Sequence, residues 1–398
     1  MLSKLTEGNA GLPRSFYVVS ISGLLWQLGF MITYPIFTLH LQDVGATIFQ
    51  IGSILSIQSF LLIILRVPLT LIARRIGERK MLFIAFIVQS VTQLFYGISP
   101  SPAWFYPISI LQVLSKGTFF QLATAINSNL APEDKQGDAL GRHMTIISVP
   151  MFIGPIITGI FVEQIGYQGL FFLSSTLPFL GLIIFWWYTR DVNLGGVEVS
   201  IHETPNLRSL VHLFTKKNLV ILALIRALYS TSNNTYLTLF SLYAVNQLGF
   251  DPASVAGLFS LQGIANTLIK VPIGRASDRI GRKTILLTTF TTVILIYLLL
   301  SFAENYYLIG FGVVIFGLAW GSRATVEWAF LTSTVKPEIK NIAVSYMEGF
   351  WDIGGSLGSF LAGLLSGYLA VPQILLLMAA LNLPAIPAIL MIEEEDEA

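Results

Sequence analysis

Short polar stretches break the chain into twelve apolar runs, at roughly 15–41, 48–73, 79–98, 104–131, 140–163, 169–189, 218–246, 253–274, 283–301, 306–334, 341–367 and 372–392. Each is near or above the roughly 20 residues with which a helix crosses the hydrocarbon of a bilayer. None shows the alternation of a barrel strand. The pattern predicts twelve transmembrane helices, numbered below as spans one to twelve. Composition points the same way: 54% of the 398 residues are hydrophobic, 11% are charged and the mean hydropathy is +0.73, too apolar for one soluble core.

The opening MLSKLTEGNAGLPR is polar and the first apolar run is full length, so no cleavable signal peptide is expected. The chain has no cysteine, which excludes disulfide and thiolate chemistry. Lysine and arginine fall in the loops after spans two, four, six, eight and ten, as Arg74, Arg75, Arg79 and Lys80, then Lys135, then Arg190, Arg208, Lys216 and Lys217, then Arg275, Arg279, Arg282 and Lys283, then Lys336 and Lys340. The opposite loops carry only Asp43, Glu163, Asp251 and Glu304. Positive charge stays inside, so both termini are expected in the cytoplasm of a multi-pass plasma-membrane protein. The acidic tail Glu393 to Glu397 reads as a solvated end.

The chain also resembles itself. Residues 66–79 align with 270–283, so that Val67 meets Val271 and the separation is 204; the same separation pairs Gly45 with Gly249, Gln58 with Gln262, Gly117 with Gly321, Gly154 with Gly358 and Gly159 with Gly363. One ungapped separation recurring over most of a half indicates duplication. Six spans is an even number, so the copies are parallel repeats, and a substrate site is expected where they meet. The expected organisation is a cytoplasmic segment 1–14, a six-helix bundle 15–189, a cytoplasmic central loop 190–217, a second bundle 218–392 and an acidic tail 393–398. Within the loop, Leu207, Leu210, Val211 and Phe214 suggest an interfacial helix.

In the loop between spans eight and nine, Gly274-Arg-Ala-Ser-Asp278-Arg279-Ile-Gly281-Arg282-Lys283 is similar to the G-x-x-x-D-R-x-G-R-K motif of the major facilitator superfamily. With twelve spans, a six-plus-six repeat and a long central loop, the resemblance covers the whole chain. It implies an all-α membrane transporter with a central cavity that works by alternating access. On physical grounds Gly274 permits close helix approach, Gly281 allows a sharp turn and Asp278 can accept from arginines, so the loop reads as a conformational latch, with Arg142 a candidate partner of Asp278. The first copy has Thr70 and Arg74 at the glycine and acidic positions. Span five holds Gly154-Pro155-Ile-Ile-Thr158-Gly159, similar to the G-P-x-x-G-G segment of exporters in that family; with Gly358 and Gly363 these residues are expected to pack helices. Span four departs from the family, because Val113 stands where an arginine precedes Gly117, although Lys116 is adjacent.

Ionisable groups inside a bilayer mark function. Arg66, Lys116, Arg226, Lys270, Arg323, Glu327, Glu348 and Asp352 lie in spans two, four, seven, eight, ten and eleven, and none lies within spans three, six, nine and twelve. Bases outnumber acids here, which tilts the expected cavity toward an anionic solute. Glu348 and Asp352 are 7 and 11 residues into span eleven from 341, and Glu327 and Arg323 are 7 and 11 from 334 at the matching end of span ten. A rise of about 1.5 Å per residue then puts Arg323 level with Asp352, its expected fixed partner, and Glu327 level with Glu348, where one carboxylate beside another makes Glu327 or Glu348 the expected proton carrier.

In span seven, Arg226 is followed by eight polar residues, Tyr229-Ser-Thr-Ser-Asn233-Asn-Thr-Tyr236, which suit a water-filled cavity or an unwound helix. Trp26, Gln27 and Tyr34 in span one, with Gln58 and Gln262 at equivalent places, are further solute-binding candidates. The sequence has no P-loop, no H-E-x-x-H and four scattered histidines, His40, His143, His202 and His212, so no enzyme, cofactor or metal site is expected. The expected partners are a small-molecule solute, the bilayer and protons, with no nucleic acid, for a chain acting as a monomer. Drug export and a non-transporting membrane sensor remain the rival functions.

Overall fold

A computed structural model describes residues 11–132, 135–190, 216–335 and 340–393. The central loop with its interfacial run, the segment 1–10 and the tail 394–398 lie outside the described residues. The helices are α1 Arg14–Thr33, α2 Phe37–Asp43, α3 Ile48–Ile76, α4 Glu78–Ile98, α5 Pro102–Leu130, α6 Gln136–Ser148, α7 Pro150–Thr189, α8 Lys217–Asn246, α9 Pro252–Ile280, α10 Arg282–Phe302, α11 Tyr306–Thr334, α12 Lys340–Leu365, α13 Val371–Asn382 and α14 Ala385–Leu390.

These make the twelve expected spans. The first is α1 and α2 joined through a turn at Pro35, and the last is α13 and α14 joined near Pro384. The fifth begins as α6, breaks at Val149 ahead of Pro150, and continues into α7 as far as Gly166, where φ of +64° turns the chain into the sixth. Proline cannot donate to the preceding turn, which explains the breaks. Large apolar side chains such as Phe179, Trp187, Leu268, Leu295 and Phe311 are exposed along the helices, as lipid-facing residues must be.

The chain divides into two compact units, unit 1 of residues 1–40 and 64–201 and unit 2 of 41–63 and 202–398. In unit 1, α1 packs along α7, and α4 against both α5 and α7. In unit 2, α8 packs along α12, α9 along α11, and α10 against α11 and α13. The duplication is written into this packing. A Cβ on Gly154 would lie 2.6 Å from the Met31 backbone of α1, and one on its counterpart Gly358 would meet the Thr231 carbonyl of α8. The first helix of each unit thus lies against the backbone of the fifth where only glycine leaves room. The loops repeat too: Gly45 and Gly249 (φ +91° and +71°) and Gly77 and Gly281 (φ +92° and +88°) are equivalent pairs in the left-handed region.

The division does not follow the sequence halves, because the first part of α3 belongs to unit 2. A Cβ on Gly52 would be 2.5 Å from Ser359 O and 2.8 Å from Gly363 Cα, so two glycines let α3 and α12 touch backbone to backbone. Ser56 Oγ is 3.1 Å from Ser356 Oγ, and Asn246 Nδ2 donates to Gln42 Oε1 at 2.8 Å.

At the signature-loop end of unit 2, basic residues cap helix C-termini, where unpaired carbonyls concentrate negative charge. Lys216 Nζ donates to Thr334 O at 3.3 Å and Arg282 Nη1 to Ser333 Oγ at the end of α11. Lys283 Nζ donates to Leu390 O and Ile392 O at 2.7 and 2.9 Å beyond α14. Glu393 completes a clasp: Lys217 Nζ reaches its Oε1 at 2.5 Å, and Asn218 exchanges hydrogen bonds with its backbone at 2.8 and 3.1 Å. The hydrogen bond and charge of Lys217 hold the Glu393 carboxyl below its ordinary range.

Candidate functional site

The ionisable residues of unit 2 converge on one cluster built by α8, α11 and α12. Arg226 forks between two carboxylates, Nη1 donating to Glu327 Oε2 at 2.9 Å and Nη2 to Glu348 Oε1 at 2.5 Å. One guanidinium reaching both places them at one height. Arg323 Nη1 donates to the same Glu327 oxygen from one turn back on α11. Arg226, Arg323 and Glu327 are buried, whereas the side chain of Glu348 keeps 27% of its surface exposed.

Aromatic faces line the cations. The Arg226 guanidinium lies 5.0 Å from the Trp328 ring and 5.4 Å from Trp351, and that of Arg323 lies 4.2 Å from Tyr229 and 5.2 Å from Trp351. Such contacts strengthen where water is excluded. A pair of arginines balanced by two carboxylates, with Trp351 shared between the cations, tolerates burial that a lone charge would not.

This geometry corrects three expectations. Arg323 takes Glu327 as an ion-pair partner, because the i, i+4 spacing puts both on one face of α11; Asp352 is buried on α12. Glu327 and Glu348 are not two carboxylates pressed together, since Arg226 stands between them. In this cluster the two arginines are spent on carboxylates, so it holds no surplus of bases to attract an anion.

The polar run of α8 also differs from expectation. It is regular helix, and among residues 229–236 only Asn234 is more than marginally exposed. The serine and threonine hydroxyls return to carbonyls of their own helix, as with Thr231 to Ala227 O and Ser232 to Tyr229 O, both 2.9 Å, or cross to α12, as with Ser230 to Trp351 O at 2.6 Å and Thr235 to Gly358 O at 2.9 Å. Hydroxyls that satisfy themselves locally can line a helix contact without water. Tyr229 packs beneath Arg323 and against Phe316 and Phe290. Asn233 is fully buried. The run therefore locks α8 to α12, and Asn234 presents its only partly exposed side chain.

In unit 1, Trp26 is core: its indole donates to Ser115 Oγ at 3.0 Å and its ring stacks on Phe119 at 4.3 Å. Gln27 and Tyr34 are half-buried, and Lys116 Nζ sits 4.7 Å from the Phe30 ring, itself 6.0 Å from Tyr34. Gln58, on the part of α3 that belongs to unit 2, and Gln262 on α9 are both buried. Four long helices of the described residues, α5, α8, α9 and α12, are too polar to qualify as spans by apolarity alone; they carry Lys116, Arg226, Gln262, Glu348 and Asp352.

The signature loop separates into parts. Gly281 ends α9 in the left-handed region and Arg282 and Lys283 are helix caps, while Asp278 and Arg279 are exposed. A Cβ on Gly274 would meet only Thr325 Cγ2 at an ordinary 3.7 Å, so Gly274 is not a point of close approach. Arg142 Nε donates to Asp138 Oδ2 at 2.8 Å on its own helix. Pro155 and Thr158 are buried beside Gly154, and Thr158 Oγ1 donates to Ile32 O; Gly159 is half-buried. Trp328 and Trp351 were not anticipated, although each adjoins an intramembrane acid, Glu327 or Asp352.

A helical membrane bundle with a duplicated core and intramembrane ion pairs defines a transporter, and the comparisons with known proteins agree. The Major Facilitator Superfamily profile matches residues 19–251 and 222–398, and the chain belongs to that family; it is a multi-pass membrane transporter rather than an enzyme. It is similar to the multidrug resistance protein MdtG of Yersinia enterocolitica, with 24% identity over 371 residues, 89% of this chain and 86% of that one. The MdtG of Citrobacter koseri is 24% identical over 300 residues, 74% of this chain and 73% of the relative. Among solved structures, a bacterial homolog of the human lysosomal transporter Spinster, inward-facing and occupied, superposes with a TM-score of 0.77 at 13% identity over 94% of this chain and 95% of that one. The nucleoside transporter NupG gives 0.75 at 13% identity over 96% and 100%.

Proposed function

We propose that the chain is a proton-coupled secondary transporter of organic solutes in the plasma membrane, working by alternating access with both termini cytoplasmic. The observation that carries this reading is the Arg226 fork. Glu348 is its partly exposed arm and Glu327 its buried one. A proton on Glu348 removes one of the two anions holding Arg226 and leaves the guanidinium on Glu327 alone, so proton binding alters the contact between α8 and α12 directly. A charge crossing the full potential is worth about 2.3 kcal/mol per 100 mV, ample to drive a solute uphill.

Export of amphipathic compounds is the direction we favour. The multidrug relatives support it, and so does the partly exposed carboxylate of Glu348 at the edge of the cluster. A solute with an apolar body and a cationic group suits Trp328 and Trp351 beside Glu348. The test is efflux and uptake of a compound panel in proteoliposomes, with pH and sodium gradients imposed separately. Flux driven by the pH gradient alone supports the reading; no gradient-driven flux of any compound favours the non-transporting sensor.

A further inference from the structure

Unit 1 contains a polar cluster that the transport reading leaves unused. Ser20 of α1, Asn127 of α5 and His143 of α6 are each fully buried. Asn127 Nδ2 lies 2.7 Å from His143 Nδ1 and 3.0 Å from Ser20 Oγ, and Ser20 Oγ lies 3.0 Å from His143 Nδ1. An amide nitrogen only donates, so Nδ1 is the acceptor and the neutral imidazole carries its proton on Nε2.

Two atoms of the cluster have no hydrogen-bond partner among the described residues, His143 Nε2 and Asn127 Oδ1. The imidazole lines a small cavity with Trp26, Gln27 and Phe119 that offers about 10 Å³ to the centre of a water. That is about the least space a water needs, and Gln27, half-buried, shares its wall.

We propose that Ser20, Asn127 and His143 form a proton-binding switch in unit 1, separate from the carboxylates of unit 2. When Nδ1 takes a proton from solvent on its lone pair, its N–H faces the Asn127 N–H, donor against donor. Turning the Asn127 amide over replaces Nδ2 with Oδ1, which accepts from both Nδ1–H and the Ser20 hydroxyl. The oxygen idle in the neutral state becomes the acceptor of the charged one, and Nε2–H keeps its donor role toward the cavity. The cluster thus has two hydrogen-bonding patterns that differ by one proton, each leaving one end of the Asn127 amide idle.

The surroundings leave the switch to itself. α6 packs on α1 and α5, whose charged and titratable groups are Arg14, which is exposed, Tyr17, which packs edge-on to Phe16, Tyr106, half-buried in the first turns of α5, and Lys116, which lies over Phe30. On α6, Asp138 and Arg142 pair with one another on the exposed face, and Lys135 precedes the helix. Exposed pairs of this kind contribute little at a distance.

The test is the ring-nitrogen spectrum of histidine in the full chain in lipid nanodiscs, a readout independent of any solute and so of the transport reading. Replacing His40, His202 and His212 with glutamine leaves His143 as the sole signal. The switch predicts a bare Nδ1 and a protonated Nε2 at about pH 8, with Nδ1 gaining its proton as the pH is lowered. Asn127→Asp presents only acceptors, so there Nδ1 should already carry the proton at about pH 7. A proton on Nδ1 at pH 8, or a bare Nδ1 at every pH in both chains, overturns the proposal. Where the triple variant does not fold, the native chain compared with His143→Gln gives the same signal by difference.

Discussion

The two units use the same three spans to opposite electrostatic ends. Spans seven, ten and eleven of unit 2 hold Arg226, Arg323, Glu327 and Glu348, an ion cluster faced with aromatic rings. Their counterparts in unit 1, spans one, four and five, hold Ser20, Asn127 and His143, a neutral cluster closed by hydrogen bonds. At the duplicated separation of 204, Arg323 corresponds to Phe119 and Glu327 to Ala123, so where unit 2 has an ion pair unit 1 has a ring stacked on Trp26. A duplication preserves what the backbone requires, and it leaves buried charge free to differ because an ion pair must arise or vanish as a set.

The comparison breaks most sharply at Glu327. Glu327→Ala strands the buried Arg323 guanidinium and leaves Arg226 on Glu348 alone, and we expect a loss of about 3–5 kcal/mol with abolished transport, read by thermal unfolding and flux; Ala123→Leu at the unit 1 counterpart should cost only what overpacking costs, about 1–3 kcal/mol. Next comes the shared backbone. Gly358→Ala drives a methyl into the Thr231 carbonyl and Gly154→Ala one into Met31, so each should destabilise by about 1–3 kcal/mol, whereas Gly274→Ala should be nearly neutral. The smallest effect belongs to Asp251, whose carboxylate accepts from Ser254 N and Oγ at 2.7 Å each. Asp251→Ala should cost about 1 kcal/mol as a lost cap. The hydrogen bonds of Ser254 hold the Asp251 carboxyl below its ordinary value. Its contribution is therefore full above about pH 3.9 and lost as pH falls through the lower folded value, measurable as melting temperature against pH.

Much of this was legible in the sequence because periodicity and separation carry it. The twelve spans follow from run length, and the glycines at 154 and 358 from one recurring separation. Counting residues from a helix end gives height, which is how Glu327 and Glu348 could be placed level. It does not give direction around the helix. Hence Arg323 was assigned to Asp352 across a gap when Glu327 stood one turn away on its own face, and the polar run of α8 read as a cavity wall when most of its hydroxyls bond to nearby carbonyls. Trp328 and Trp351 escaped notice because an apolar ring in an apolar span carries no contrast. The first part of α3 joins unit 2 through Gly52 and Gly363, a contact between residues 311 apart that no local pattern announces.

In the proposed coupling, the Arg226 fork links a proton to the solute through Glu348. The direct measurement is solute flux in proteoliposomes carrying Glu348→Gln, with and without an imposed pH gradient. We expect a folded protein that still exchanges solute down its own gradient but no longer accumulates it in response to pH. Accumulation driven by the pH gradient as in the native chain would contradict it.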